Sequence, residues 1–95
     1  MRARQAQGVP KSRGLGAFGL TLKQLRKEAG LSQERLGFEN GLDRTYISML
    51  ERGVRNPTLA TIRRLASSLN LSATELVRHV ERQLRKAESR ANEDR

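Results

Sequence analysis

The stretch QERLGFENGLDRTYISMLER, residues 33 to 52, sets two short helical patterns around one glycine turn. Gln33 opens the first pattern, Gly37 omits a side chain where two helix backbones must come close, and Gly41 permits the left-handed turn conformation. Leu36, Leu42, Ile47 and Leu50 then share the inward side. Two helices joined so tightly hold the second one out, in the geometry that a groove of DNA accepts.

Composition supports this reading. A chain of 95 residues makes one domain, and 3% aromatic content without Trp suits a bundle of short helices built from Leu, Ile, Val and Ala better than a sheet sandwich. The net charge of +9 favours a polyanionic partner through counterion release, with a membrane surface as the weaker alternative. Cysteine is absent, which excludes a disulfide framework and any thiolate metal site. No apolar run is long enough for a signal peptide or a membrane span, so a cytoplasmic protein is expected. Residues 1 to 20 carry Arg2, Arg4, Lys11 and Arg13 and no acid, the composition of an arm that orders on DNA or of a plain tail.

The helical periodicity predicts five helices. Phe18, Leu22, Leu25 and Ala29 recur at helical spacing before Gly30, giving a first helix over about 18 to 29. Ser32 caps the second, and Asp43 the third, its side chain accepting from the backbone of Thr45 or Tyr46. Gly53-Val54-Arg55-Asn56-Pro57 is a breaker cluster and therefore a loop. Thr58 caps a fourth helix with the stripe Leu59, Ile62, Leu65, Ala66 and Leu69. Ser72 and Glu75 form a capping box at the start of the fifth, which the pattern carries to about Ala87. The organisation expected is a basic flexible arm over 1–16, a DNA-binding domain with an extended C-terminal helix over 17–88, and a polar tail over 89–95.

The opening stretch resembles the helix-turn-helix of the phage lambda repressor and Cro family, also called XRE-like: glutamine first, a small residue fifth, glycine ninth and a branched aliphatic fifteenth. The resemblance runs from about Phe18 to Val77, and FGLTLKQLRKEAGLSQ and ERGVRNPTLATIRRLA share it. It implies an all-α, five-helix lambda repressor-like domain with the helix-turn-helix at helices 2 and 3. It also implies a partly buried ion pair between Arg26 on the first helix and Glu51 at the end of the third, where the plain alternative is two solvated charges.

Helical angles place the reading surface independently of the family. At about 100° per residue, with Ile47 and Leu50 inward, Thr45, Ser48, Met49 and Arg52 fall on the opposite side, with Arg44 and Tyr46 on the flanks. Base contacts are expected from Arg44, which can take guanine bidentately, from Thr45 and Ser48, from Met49 against a thymine methyl, and from Tyr46, to base or backbone. Phosphate contacts are expected from Gln33 at a helix N-terminus and from Arg52, Arg55 and Asn56. For each, the plainer alternative is a solvated surface residue.

Two other signals are weak. Gly14-Leu15-Gly16-Ala17-Phe18-Gly19 spells the dinucleotide fingerprint, but no buried strand precedes it, so it reads as a flexible lead-in to the first helix. Glu75 and His79 lie one turn apart, yet two ligands on an exposed face do not make a metal site. With no catalytic constellation, no metal site and no cofactor motif in context, a non-enzymatic protein is expected.

The reading is a sequence-specific transcriptional regulator of a bacterium or phage that binds double-stranded operator DNA as a homodimer. Restriction-modification controllers and antitoxin-type autoregulators share its small size, and a protein-interaction module on the same fold is the alternative of another class. Dimerisation is expected through the fifth helix, where Ala73, Val77, Val80, Leu84, Ala87 and Ala91 follow steps of four and three. Val77, Val80 and Leu84 form the expected interface, unless the early part of this stripe only covers the domain's own core.

Overall fold

The structure, a computed structural model, describes residues 9–93. Within them lie five helices and no strand: α1 (Arg13–Glu28), α2 (Gln33–Asn40), α3 (Arg44–Glu51), α4 (Leu59–Ser68) and α5 (Ala73–Glu93). Arg2 and Arg4 fall outside the described residues.

α1 begins at Arg13, earlier than the hydrophobic period places it. Ser12 is its N-cap, with an extended backbone and a side-chain oxygen accepting from the Leu15 N–H at 3.0 Å. The glycines from Gly14 to Gly19 are therefore helical and not a flexible lead-in, and residues 13 to 16, grouped above with the arm, belong to α1. At Gly19 the role is close packing. A Cβ on Gly19 would stand 2.5 Å from the Leu50 carbonyl oxygen and collide with that of Glu51, so this helix crosses the end of α3 backbone to backbone.

The glycine turn forms as its sequence requires. Gly41 has φ 66°, and the Leu42 N–H reaches the Gly37 carbonyl at 2.8 Å, closing α2 with a left-handed cap. A side chain at Gly37 would meet the Leu42 carbonyl oxygen at 2.5 Å, which explains why that position has none. Asn70, at φ 60°, ends α4 in the same manner, and asparagine is among the few L-residues that tolerate it.

Ser32, Thr58 and the Ser72–Glu75 box cap their helices as predicted, the last with hydrogen bonds of 2.8 and 3.0 Å in both directions. Asp43 occupies the N-cap of α3 but makes no side-chain cap bond. Its backbone carbonyl accepts from Tyr46 and Ile47, and its exposed carboxylate is left to water. α5 runs six residues past the predicted Ala87, because the polar sequence there contains no glycine or proline to stop it.

Every helix sends at least one fully buried side chain to the core: Leu22, Leu36, Ile47, Leu50, Leu65 and Leu76. At about 1.5 to 3 kcal/mol for each buried large aliphatic, these six supply most of the driving force for so small a domain. α3 packs against α1 and α2, while α5 packs against α1 and α4. Asn40 ties α2 to α4 by donating from its amide to the Leu36 carbonyl and to Ser68 Oγ, at 2.8 and 3.0 Å.

Candidate nucleic-acid interface

The inner side of α3 is fixed by Ile47 and Leu50, both without solvent exposure. Turning about 100° per residue, the helix then presents Arg44, Thr45 and Arg52 exposed and Ser48 and Met49 half-buried. Tyr46 is different. Its ring packs partly against the core, which leaves only part of the side chain for any outside partner. Arg44 and Thr45 stand at the N-terminal end of the helix, while Arg52 and the exposed Arg55 and Asn56 lie at the other end and in the loop beyond it.

That loop is anchored from two sides. The Gly53 and Val54 N–H groups bond back to the Leu50 and Met49 carbonyls, at 3.0 and 3.1 Å, and Gly53 in turn accepts from the Lys11 N–H at 2.9 Å. The segment before α1 therefore lies beside the end of α3. The exposed Lys11 thus brings positive charge close to the loop that carries Arg55, while Arg13 lines the groove between α1 and α5.

Gln33, the first residue of α2, is half-buried and does not simply face solvent. Its Nε2 donates to Glu51 Oε1 at 2.9 Å. The same carboxylate accepts from Arg26 Nε at 2.6 Å and from Arg26 Nη2 at 3.1 Å, with the two ionic side chains 9% and 3% exposed. The ion pair implied by the family resemblance is thus present, buried and bidentate. Arg26 Nη1 also donates to the Leu31 carbonyl at 2.8 Å, so the guanidinium pins the α1–α2 connection as well as the end of α3.

On the fifth helix the expected interface residues divide. Val80 packs against the hydrophobic core, Val77 is 43% exposed, and Leu84 is half-buried. Further along, Gln83, Ala87 and Ala91 face Pro10, Ala17 and Leu20 across an apolar groove of about 480 Å³.

One side chain and one hydrogen bond escaped the sequence reading. Phe38 is 75% exposed on α2, with the Arg35 guanidinium 5.6 Å from its ring centre; its place two residues after the buried Leu36, about 200° around a helix, was the available signal. The bond from Gln33 to Glu51 had none, because it joins residues 18 apart through the packing of α2 on α3.

Among the described residues no group of three or more His, Cys, Asp or Glu side chains is placed to hold a metal ion. Glu75 is committed to the capping box and His79 Nδ1 lies 3.0 Å from Arg82 Nη2. No helix is long and apolar enough to cross a membrane among these residues.

Comparison with known proteins agrees with this geometry. The family model described as helix-turn-helix matches residues 22–76. An uncharacterized HTH-type transcriptional regulator, y4dJ, of Sinorhizobium fredii is 46% identical over 59 residues, covering 62% of this chain and 77% of that protein. The control protein C.MunI of a Mycoplasma species is 40% identical over 67 residues, covering 70% of this chain and 90% of its own length. Among solved structures, the restriction-modification controller C.Esp1396I, as a tetramer in complex with its natural 35 base-pair operator, superposes with a TM-score of 0.71 at 31% identity, over 78% of this chain and 97% of that one.

Proposed function

Because the chain belongs to the helix-turn-helix family of lambda repressor-like, DNA-binding transcriptional regulators, we propose that it acts as a cytoplasmic, nucleoid-associated homodimer on a near-palindromic operator and carries no catalytic step. The observation that bears most weight is α3 itself: a helix locked from inside by Ile47 and Leu50, with Arg44 and Thr45 exposed at its leading end. Docked in a major groove, that end reaches base edges while Gln33, Arg52, Arg55 and Asn56 hold phosphates on either side. Ser48 and Met49 complete the readout, and Tyr46 contributes only the part of its ring that the core leaves uncovered.

A restriction-modification controller is the more specific reading. It is supported by the likeness to C.MunI and to C.Esp1396I, which between them extend over most of this chain.

The reading is tested by selecting bound sequences from random duplexes. A two-fold symmetric consensus with half-sites about one turn of DNA apart is expected. Arg44→Ala and Thr45→Ala should each weaken binding to the selected site by about 1 to 3 kcal/mol and relax preference at one or two base pairs, with non-specific binding nearly unchanged. A doubly substituted protein that kept the wild-type preference in competition would remove α3 from the reading role.

Salt titration separates the phosphate contacts. The logarithm of affinity should fall against the logarithm of salt with a slope of about 0.9 per phosphate neutralised, and Arg55→Ala should lower that slope by about one while weakening all duplexes equally. An Arg55→Ala protein with a changed base preference would place this loop in a groove instead of on the backbone.

A further inference from the structure

Arg44, the first residue of the reading helix, is not an independent side chain. Its Nη1 lies 3.4 Å from Gln33 Oε1, Gln33 Nε2 donates to Glu51 Oε1 at 2.9 Å, and Glu51 is held from beneath by the two-point contact with Arg26. The order of atoms in this chain is dictated by chemistry. An ionised carboxylate only accepts, and its oxygens already face Arg26, so the group that Gln33 turns towards Glu51 must be its NH2. The amide carbonyl is then forced to the outside, on the side where Arg44 stands. A free glutamine would sample both orientations of its amide; this one has a single orientation because a carboxylate 3% exposed selects it.

We propose that Glu51 is a positioning residue for base recognition: through Gln33 it sets the direction of the Arg44 guanidinium before DNA arrives. The inference rests on the assignment of Arg44 to a base contact. The carbonyl of Gln33 draws one N–H of Arg44 towards α2 and leaves the other edge of the planar guanidinium to point away from the protein. Bidentate recognition of a guanine needs that plane at a fixed tilt, so holding it in advance removes rotamer freedom that a long, exposed arginine would otherwise lose on binding. The second N–H of the Gln33 amide is not used by Glu51 and remains for a phosphate, which gives one residue two tasks: it grips the backbone and steadies the neighbouring reader.

The arrangement is open to test without unfolding the domain. Replacing both members of the buried pair by apolar residues, Arg26→Met with Glu51→Leu, removes the anchor while leaving no buried charge unpaired. Gln33→Met breaks the same chain from its exposed side and leaves the buried pair intact. Base preference at each operator position is measured for both proteins, for the combined triple substitution, and for Arg44→Ala, alongside thermal melting. We expect the double and the single variant to lose about tenfold of their discrimination at the same base pair that Arg44→Ala relaxes. The triple variant should lose no more than either. A folded Arg26→Met, Glu51→Leu protein with the wild-type preference profile, while Arg44→Ala relaxes one position, would overturn the positioning role and leave Arg44 as the reader. If Arg44→Ala itself changed no preference, the base contact would be wrong and the positioning role would fall with it. A merely structural Glu51 would lower the melting temperature and weaken all duplexes in proportion, with no change in the profile, which also counts against the proposal.

Discussion

Arg26→Ala alone should lower the stability of the domain by about 3 to 5 kcal/mol. The substitution leaves the Glu51 carboxylate, 3% exposed, without either of its two ionic hydrogen bonds, while the Gln33 amide still donates to it. It also frees the Leu31 carbonyl, which Arg26 holds at 2.8 Å. Against the 5 to 15 kcal/mol that a typical domain has in total, this loss should bring unfolding close to working temperatures. The check is urea denaturation: the midpoint should move down sharply with little change in slope. The pair Arg35–Glu39, with side chains 60% and 33% exposed, serves as the control, since solvent already screens it and its removal should scarcely register. A loss for Arg26→Ala as small as that of the control would mean that the carboxylate finds water.

Leu84→Asp should abolish dimerisation and, with it, tight operator binding. Leu84 is half-buried on α5 beyond the turn that packs Val80 into the core, and Val77, one heptad before it, is 43% exposed. An aspartate there would demand desolvation of a charge in an apolar seam. A single domain then grips one half-site without the gain from a tethered second contact, so operator affinity should fall by about 100-fold or more. Circular dichroism should stay nearly unchanged, because position 84 lies beyond the part of α5 that fills the core, and a half-exposed aspartate there does not break the helix. Sedimentation equilibrium and a binding isotherm on the full operator measure the two effects together. An unmutated chain that sediments as a monomer at high concentration would move the interface elsewhere, and a complex of one chain per operator would end the dimeric reading.

The features legible in the sequence were those set by residues near one another along the chain. Ser32, Thr58 and Ser72 with Glu75 each cap within three residues, and the turn at Gly41 is a property of its own backbone. The inward positions Ile47 and Leu50 followed from period alone. What was hidden depended on distant packing. Gly19 looked flexible because its reason for being small, the carbonyls of Leu50 and Glu51, lies some thirty residues away. Tyr46 looked available because its angle on α3 says nothing about how much neighbouring core reaches out to cover it. The family resemblance supplied the Arg26–Glu51 contact, which no local pattern could have, but not the link onward to Gln33.

The division of labour on α3 has a consequence for how such a regulator changes over generations. The side chains that hold the helix in place, Ile47 and Leu50, are wholly inside, and two that would read DNA, Arg44 and Thr45, are exposed. Mutations at the outer positions are therefore nearly free of folding cost, and a lineage can drift to a new operator without passing through an unstable intermediate. Tyr46, Ser48 and Met49, each half-covered, are the exceptions: there a change of target sequence brings a change of packing. Two regulators kept apart in one cell should accordingly have diverged first at positions 44 and 45, and last at 46, 48 and 49.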